Sequence, residues 1–406
     1  MKRKNKLILP FILLLLILFL ITFLVYTSNN KAENTIQDET DSNQKKIEEQ
    51  IESLMEQMSL EEKIAQMLIL TNANTSVDET LKETLSKIKP GGFIIMKDNI
   101  TTFDQTKEYI ADLKKYSEIP PIIATDQEGG SVQRLQSLTD IQATNIPYMY
   151  DLGKTNDEDL AYQVGKVMAE EMRTLGINVV FAPVLDIYSN ENNTVIGKRS
   201  FGTSPDLVSK MALSLARGLE DNEVIATYKH FPGHGDTTTD SHIDLPILDK
   251  SYQDLLQEEL IPFEEAIKNN AKIIMVGHIA LPEITKDETP ASLSKKIITD
   301  ILKEDMNYQG LVITDALNMK ALTNYYSEEE IYTKAIDAGV DLLLMPKDAK
   351  SAIEIIKNNV SEERIEESVK RILEFKYTYL KNNLLDQSYL GSEEHQAIIN
   401  KISITN

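Results

Sequence analysis

Eight short apolar runs, each separated from the next by a longer amphipathic stretch, constrain the fold of this chain more than any other feature. Each run is rich in Ile, Val and Leu and does not alternate with polar residues, as is typical of a strand buried on both faces. The runs are Met67–Leu70, Gly92–Met96, Pro121–Thr125, Asn178–Leu185, Val224–Lys229, Lys272–Val276, Gly310–Thr314 and Asp341–Met345.

The stretches between the runs carry helical periodicity, for example Leu160–Leu175, Asp206–Leu219 and Tyr252–Lys268. Strands that alternate with helices predict an α/β fold with a parallel sheet, most simply closed as a (β/α)8 TIM barrel. An open, doubly wound sheet is the alternative. It would not need eight repeats, and no G-x-G-x-x-G follows the first strand. A final helix is predicted over Ser361–Lys381.

The N-terminus predicts a membrane segment. Basic residues precede an apolar run from Leu7 to Tyr26, which at 1.5 Å per residue is long enough to cross a hydrocarbon core of about 30 Å. The basic flank predicts that the N-terminus stays in the cytoplasm and the rest of the chain lies outside. A cleaved signal peptide is the alternative, in which case the protein is secreted.

The resulting organisation has four parts. Residues 1–27 are a transmembrane anchor or signal peptide, and the polar residues 28–46 form a disordered linker. Residues 47–385 form a single barrel domain, and the polar tail 386–406 adds little to the fold. We expect a monomer.

Composition excludes several kinds of partner and chemistry. A net charge of −22 argues against nucleic acid, because phosphate contacts need clustered Lys and Arg. The absence of cysteine rules out disulfides, thiolate metal sites and a cysteine nucleophile.

Polar residues follow most of the predicted strands. In a barrel, the carboxyl ends of the strands meet at one rim and form the active site. Carboxylates, cations and imidazoles that converge there suit a polar, hydroxyl-rich substrate. The residues at or shortly after strand ends are Asp126, Glu128, Arg134, Asp186, Arg199, Lys229, His230, His278 and Asp315.

The segment Lys229–His242 holds three of the five histidines. His234 also fits a structural loop histidine. A zinc site built from His230, His234, Asp236, Asp240 and His242 is conceivable, but Gly233 and Gly235 predict a flexible loop and no fixed metal-binding spacing is met. We therefore predict neither a metal nor a cofactor.

Acid–base chemistry is the stronger interpretation of this segment. Asp240 and His242 are one residue apart, so the carboxylate can accept a hydrogen bond from one imidazole nitrogen and fix the tautomer. The other nitrogen is then free to transfer a proton. Asp315 lies where a strand-end carboxylate can attack an anomeric carbon, although it could instead cap a helix that begins near Ala316.

The segment Lys229–His242, with Leu245-Pro246 after it, resembles glycoside hydrolase family 3, in the branch of the β-N-acetylglucosaminidases (β-N-acetylhexosaminidases). The likeness extends over roughly residues 50–385. Further segments that carry it are Asp126–Arg134, Val195–Gly202, Pro290–Ser294 and Gly310–Met319. Ser131 departs from the Arg of many relatives, while Arg134 is kept.

The resemblance implies a role for each matched residue. Asp315 corresponds to the nucleophile of a retaining hydrolase, and His242 with Asp240 to its acid–base dyad. The residues that correspond to those holding the hydroxyl groups of the terminal sugar are Asp126, Arg134, Arg199, Lys229 and His230. The implied activity is hydrolysis of terminal, non-reducing β-N-acetylglucosamine.

The substrate expectation combines family and topology. An enzyme outside the membrane would act in peptidoglycan turnover, on N-acetylglucosaminyl muropeptides or on chitooligosaccharides. An N-acetylglucosaminide phosphorylase is an alternative, since a histidine acid–base does not repel phosphate as a carboxylate would. A catalytically dead wall-binding protein is the other alternative.

Overall fold

The computed structural model describes residues 43–237 and 239–405. The chain divides into two compact units, Met1–Glu56 and Gln57–Asn406. The described residues of the first unit lie in helix α1, residues 43–57, which takes in the last four residues of the predicted linker. The predicted anchor, residues 1–27, lies outside the described residues. No helix within the described ranges combines the length and apolarity needed to cross a membrane.

The second unit is built on eight parallel strands, and the predicted runs account for all of them. They are β1 (Leu68–Leu70), β2 (Gly92–Ile94), β3 (Ile122–Thr125), β6 (Val179–Val180), β7 (Ile225–Phe231), β8 (Ile273–Val276), β9 (Leu311–Thr314) and β10 (Leu343–Leu344). A small antiparallel hairpin, β4 (Gln127–Gly129) and β5 (Val132–Gln133), follows β3.

The sheet closes on itself. Its order is β10-β1-β2-β3-β6-β7-β8-β9. The ends of this order are joined by hydrogen bonds from Leu342 N to Val312 O (3.0 Å) and from Thr314 N to Leu342 O (3.1 Å). The strands are buried on both faces, which explains their lack of alternation. The predicted (β/α)8 architecture is confirmed.

Helices surround the barrel and connect its strands. Ser59 caps α2 in a capping box with Glu62. A π-helical segment, Lys296–Asp305, connects β8 to β9. The helices are α2 (Leu60–Gln66), α3 (Glu79–Ile88), α4 (Phe103–Tyr116), α5 (Met149–Thr155), α6 (Glu158–Leu175), α7 (Pro205–Glu220), α8 (Tyr252–Gln257), α9 (Ile261–Lys268), α10 (Pro282–Thr285), α11 (Lys320–Thr323), α12 (Glu328–Ala338), α13 (Ala349–Asn359), α14 (Glu362–Tyr379) and α15 (Glu393–Thr405).

One predicted helix is two in the structure. The periodicity over Tyr252–Lys268 predicts a single helix, but α8 ends at Gln257 and α9 begins at Ile261. Pro262 stands in the first turn of α9. Because proline has no backbone N–H and its ring collides with the carbonyl four residues earlier, it ends the preceding helix.

The C-terminal tail is structured, so the expectation that it adds little to the fold was wrong. Helix α15 buries Ile399, and the His395 side chain is only 2% exposed. His395 Nε2 lies 2.9 Å from Glu170 Oε2, and its Nδ1 lies 3.4 Å from Glu171 Oε1, both on α6. The polar composition of residues 386–406 did not indicate a buried histidine. Its partners lie more than 200 positions away in the sequence, so they could not be predicted from local patterns.

This pairing predicts a stability that depends on pH. Burial would lower the pKa of His395, but Glu171 and Glu170 outweigh it and raise that pKa above its usual value. A group with a raised pKa stabilises the fold fully below its unfolded value of about 6.5, and the contribution is lost as the pH rises through the folded pKa. We expect His395→Asn to lower the free energy of unfolding more at pH 5.5 than at pH 8.5, measured by urea titration. Equal losses at both pH values would contradict this.

Candidate active site

Most of the strand-end residues line one cavity of about 390 Å³. Its wall includes Asp315 after β9, His242 from the loop after β7, and the hydrophobic residues Phe181 and Met275. Seven of the eight predicted site residues line it, namely Asp126, Arg134, Arg199, Lys229, His230, His242 and Asp315. The eighth, Asp240, reaches the cavity through its contact with His242.

One side of the cavity is a network of buried opposite charges. Asp126 accepts from Arg134 Nη2 (2.8 Å) and from Lys229 Nζ (3.2 Å). Glu128 accepts two hydrogen bonds from Arg199, at 2.7 and 2.8 Å, and lies 2.6 Å from Lys229 Nζ. Such a network fixes charged groups in place before a polar ligand arrives.

Glu128 was not among the predicted site residues, although the sequence places it at a strand end. The β4–β5 hairpin turns its side chain towards Arg199. Burial would raise the pKa of Glu128, but Arg199 and Lys229 outweigh it and hold that pKa far below its usual value. The predicted site contained three cations, Arg134, Arg199 and Lys229, against the single carboxylate of Asp126 on this side. This excess of positive charge in the predicted site indicated that a second carboxylate would be needed to balance it.

Removal of Glu128 is therefore expected to damage the site. Glu128→Ala leaves Arg199 and Lys229 buried without their main partner. Breaking a buried ion pair on one side costs about 3–5 kcal/mol. We expect a loss of that size in the free energy of unfolding from urea titration, and Glu354→Ala, an exposed glutamate on α13, is the matched control. Equal stability of the two variants would contradict the assigned charge balance.

A second carboxylate that the prediction left without a role, Asp186, orients His230. Asp186 Oδ2 lies 2.6 Å from His230 Nδ1, and Oδ1 accepts from the backbone N–H of His234 (2.7 Å). Burial would raise the pKa of Asp186, but the His230 imidazole outweighs it and holds that pKa below its usual value. Nδ1 of His230 therefore donates to Asp186, and Nε2 lies 3.5 Å from Arg199 Nη2 at the cavity wall.

Asp315 is held as a carboxylate at the floor of the cavity. Its Oδ1 accepts from Ala316 N (2.7 Å). Burial would raise the pKa of Asp315, but the imidazoles of His230 and His278 outweigh it and hold that pKa below its usual value. The alternative role as a helix cap does not apply, since α11 begins only at Lys320 with Met319 as its cap residue.

His278 supports the segment that carries Asp315. It is fully buried, and burial lowers its pKa. Its Nδ1 lies 2.7 Å from Ser292 Oγ and its Nε2 lies 3.1 Å from Ala316 O. Nε2 donates to the Ala316 carbonyl oxygen, because that oxygen can only accept.

Asp240 and His242 form the predicted pair on the rim of the cavity. Asp240 Oδ1 accepts from the backbone N–H of His242 (2.8 Å) and lies 2.9 Å from its Nδ1. Burial would raise the pKa of Asp240, but the contacts with His242 outweigh it and lower that pKa. With Nδ1 on the carboxylate, Nε2 is the nitrogen available for proton transfer. The His242 side chain is 70% exposed, so a substrate can reach it.

The loop that carries this pair packs against α11 and the residues that follow it. Ser241 O accepts from Ala321 N (3.1 Å), and Asp244 accepts from the Tyr325 hydroxyl. Gly235, expected to make the loop flexible, instead permits close packing. A Cβ at Gly235 would lie 1.7 Å from Ile187 O.

The described residues contain no group of three or more His, Asp or Glu side chains placed to share a metal ion. His230 and His242 are engaged by different carboxylates, Asp186 and Asp240. The arrangement places the Asp315 carboxylate, the His242 imidazole with its Asp240 contact and a set of fixed polar groups around one cavity.

The sequence has a family match that agrees with this geometry. Residues 59–375 match the N-terminal domain of glycosyl hydrolase family 3. The chain belongs to this family.

Proteins of similar sequence and structure indicate the enzyme class of this family 3 chain. It is 35% identical to β-hexosaminidase of Nitrosomonas eutropha over 71% of its own length and 83% of the relative's. It is 33% identical to β-hexosaminidase A of Pseudoalteromonas piscicida over 79% of its own length, but spans only 54% of that longer protein. A family 3 β-N-acetylglucosaminidase from Paenibacillus has a similar structure, with a TM-score of 0.79 and 32% identity over 86% of this chain and 69% of that one. The predicted class, a glycosidase of the β-N-acetylhexosaminidase type, is confirmed.

Proposed function

We propose that this protein is a retaining exo-β-N-acetylglucosaminidase that removes terminal, non-reducing β-N-acetylglucosamine. The observation that carries the proposal is the placement of an ionised Asp315 and the Asp240–His242 pair around one cavity. A retaining glycosidase needs a nucleophile on one face of the sugar and a proton donor on the other. The similarity to β-hexosaminidases supports the choice of sugar.

In the first step, an Asp315 oxygen attacks the anomeric carbon while His242 Nε2 protonates the departing oxygen. The bond to the leaving group breaks, and a covalent glycosyl-enzyme forms. Asp240 holds the imidazole in the correct tautomer and stabilises the imidazolium before transfer. General acid catalysis of this kind contributes about 10²–10⁴-fold.

In the second step, the neutral His242 removes a proton from a water molecule, which attacks the anomeric carbon. The bond to Asp315 breaks, the sugar leaves with its original β configuration, and His242 regains its proton. One histidine thus serves as acid and then as base.

The charged network is proposed to hold the terminal sugar. Asp126 offers an acceptor, Arg134, Arg199 and Lys229 offer donors to its hydroxyl groups, and His230 offers its Nε2. A cavity of about 390 Å³ lies at the small end of ligand pockets, about 300–1,000 Å³. This size supports recognition of one terminal sugar.

We also propose that the substrates are peptidoglycan fragments or chitooligosaccharides outside the cell membrane. The proposal rests on the apolar segment Leu7–Tyr26, which is expected to hold the chain at the membrane. Fractionation of cells that express the full chain tests the location. Retention in the membrane fraction after a carbonate wash is expected, with release on deletion of residues 1–27.

The activity is tested with 4-nitrophenyl N-acetyl-β-glucosaminide, in buffers with and without phosphate. We expect nitrophenolate and free N-acetylglucosamine in both buffers. N-acetylglucosamine 1-phosphate as the product would show a phosphorylase instead. No release of nitrophenolate would overturn the proposed function.

A further inference from the structure

His234 has a ring nitrogen that nothing in the proposed mechanism uses. The residue is 2% exposed, and its side chain lines the cavity. Nε2 makes no hydrogen bond to any residue in the ranges that the structure describes. Since most buried polar atoms are paired, an unpaired one at a ligand cavity points to a partner that arrives with the ligand.

The Thr237 hydroxyl determines what Nε2 offers. Thr237 Oγ1 donates to His234 O (3.0 Å) and lies 2.6 Å from His234 Nδ1. A hydroxyl has one proton to donate. We assign that proton to the carbonyl oxygen, which can only accept; Nδ1 then donates to Oγ1. With this assignment Nε2 is a buried lone-pair acceptor on a ring that lines the cavity.

The ring is fixed in position and neutral. The His234 backbone donates to Asp186 (2.7 Å) and accepts from Asn193 Nδ2 (2.8 Å). Burial lowers the pKa of His234, so the ring carries no proton on Nε2 at neutral pH. Its ring lies edge-on to that of His230, with 6.1 Å between centroids, which places the acceptor beside a residue proposed to hold the sugar.

We propose that His234 is a further sugar-contacting residue, whose Nε2 accepts a hydrogen bond from an O–H or N–H group of the terminal sugar. The inference rests on the proposed function and adds a residue to its binding site. The acceptor complements the surrounding donors, Arg199 and Lys229, because a sugar presents hydrogens as well as oxygens.

Two amide variants separate a sugar contact from a structural role. In His234→Gln the amide oxygen can reach the position of Nε2, whereas the shorter side chain of His234→Asn reaches only the position of Nδ1 and Thr237. We expect His234→Asn to lower kcat/KM by about 10-fold, the size of one hydrogen bond to substrate. We expect His234→Gln to stay within about 3-fold of the wild type. The opposite order, no loss in either variant, or an equal loss in both would overturn the inference.

A comparison of two substrates distinguishes an N–H donor from an O–H donor on the sugar. A loss in His234→Asn confined to the aryl N-acetyl-β-glucosaminide, and absent with the aryl β-glucoside, identifies the acetamido N–H. A similar loss with both identifies a hydroxyl group.

A measurement on the wild-type ring keeps the test independent of variant stability and of turnover. We expect the ¹⁵N chemical shift of His234 Nε2 to move towards that of a hydrogen-bonded nitrogen when N-acetylglucosamine is added. An unchanged shift at saturating sugar overturns the inference. If the wild type binds N-acetylglucosamine and shifts this signal but does not hydrolyse the aryl substrate, the proposed function fails while the contact stands.

Discussion

Replacement of Asp315 by alanine is expected to lower kcat by about 10⁴-fold or more, because the glycosyl-enzyme has no other carboxylate to form on. Asp315→Asn is expected to lose as much, since the amide is a poor nucleophile but can still accept from Ala316 N. Stability should change little in the asparagine variant. The measurement is the steady-state rate with the nitrophenyl substrate, together with thermal unfolding.

Addition of azide to the Asp315→Ala variant tests whether Asp315 is the nucleophile. In Asp315→Ala a small anion can enter the space of the carboxylate and attack the anomeric carbon directly. The product is then the α-glycosyl azide, of inverted configuration. Asp300→Asn, a half-buried carboxylate in the π-helical segment that accepts from Lys296, should behave as the wild type. Near-normal turnover of Asp315→Ala would remove this residue from the mechanism.

Replacement of His242 by alanine is expected to show a loss that depends on the leaving group. For chitobiose, whose alkoxide leaves poorly, kcat/KM should fall by about 10²–10⁴-fold because the departing oxygen receives no proton. For the 2,4-dinitrophenyl glycoside, whose phenolate leaves without protonation, kcat/KM should change little. The second step still lacks its base, so a burst of phenolate followed by slow turnover is expected.

Asp240→Ala should follow the same pattern, because without the carboxylate the imidazole loses its fixed tautomer. Binding of N-acetylglucosamine should persist in both variants. Asp249→Asn, an exposed carboxylate further along the same connection, is the matched control. A loss of equal size for both leaving groups would mean that the pair supports the loop and does not transfer the proton.

The sequence predicted the barrel because its physical cause is local. A strand buried on both faces has to be continuously apolar, so the runs at Gly92–Met96 and Gly310–Thr314 identify β2 and β9. The break between α8 and α9 was also local, but the periodicity over Tyr252–Lys268 concealed the effect of Pro262. The docking of α15 was not predictable in this way, because His395 pairs with Glu170 and Glu171 across the fold.

In the site, too, local features were predictable from the sequence and long-range contacts were not. Residues that follow strands were expected to meet at one rim, and Asp126, Lys229 and Asp315 do. The roles of Glu128 and Asp186 depend on which side chains the fold brings beside them. The spacing of residues along the sequence does not predict those contacts. The loop glycine Gly235 shows the same limit, since its contact with Ile187 is made only in the folded chain.

The configuration of the first product tests the central claim most directly. Proton NMR of a fresh reaction with an aryl N-acetyl-β-glucosaminide, in phosphate buffer, follows the anomeric signals before mutarotation. A retaining hydrolase with Asp315 as nucleophile and His242 as acid–base predicts β-N-acetylglucosamine first, with the α anomer appearing later. The α anomer as first product, or a sugar 1-phosphate, would contradict the account.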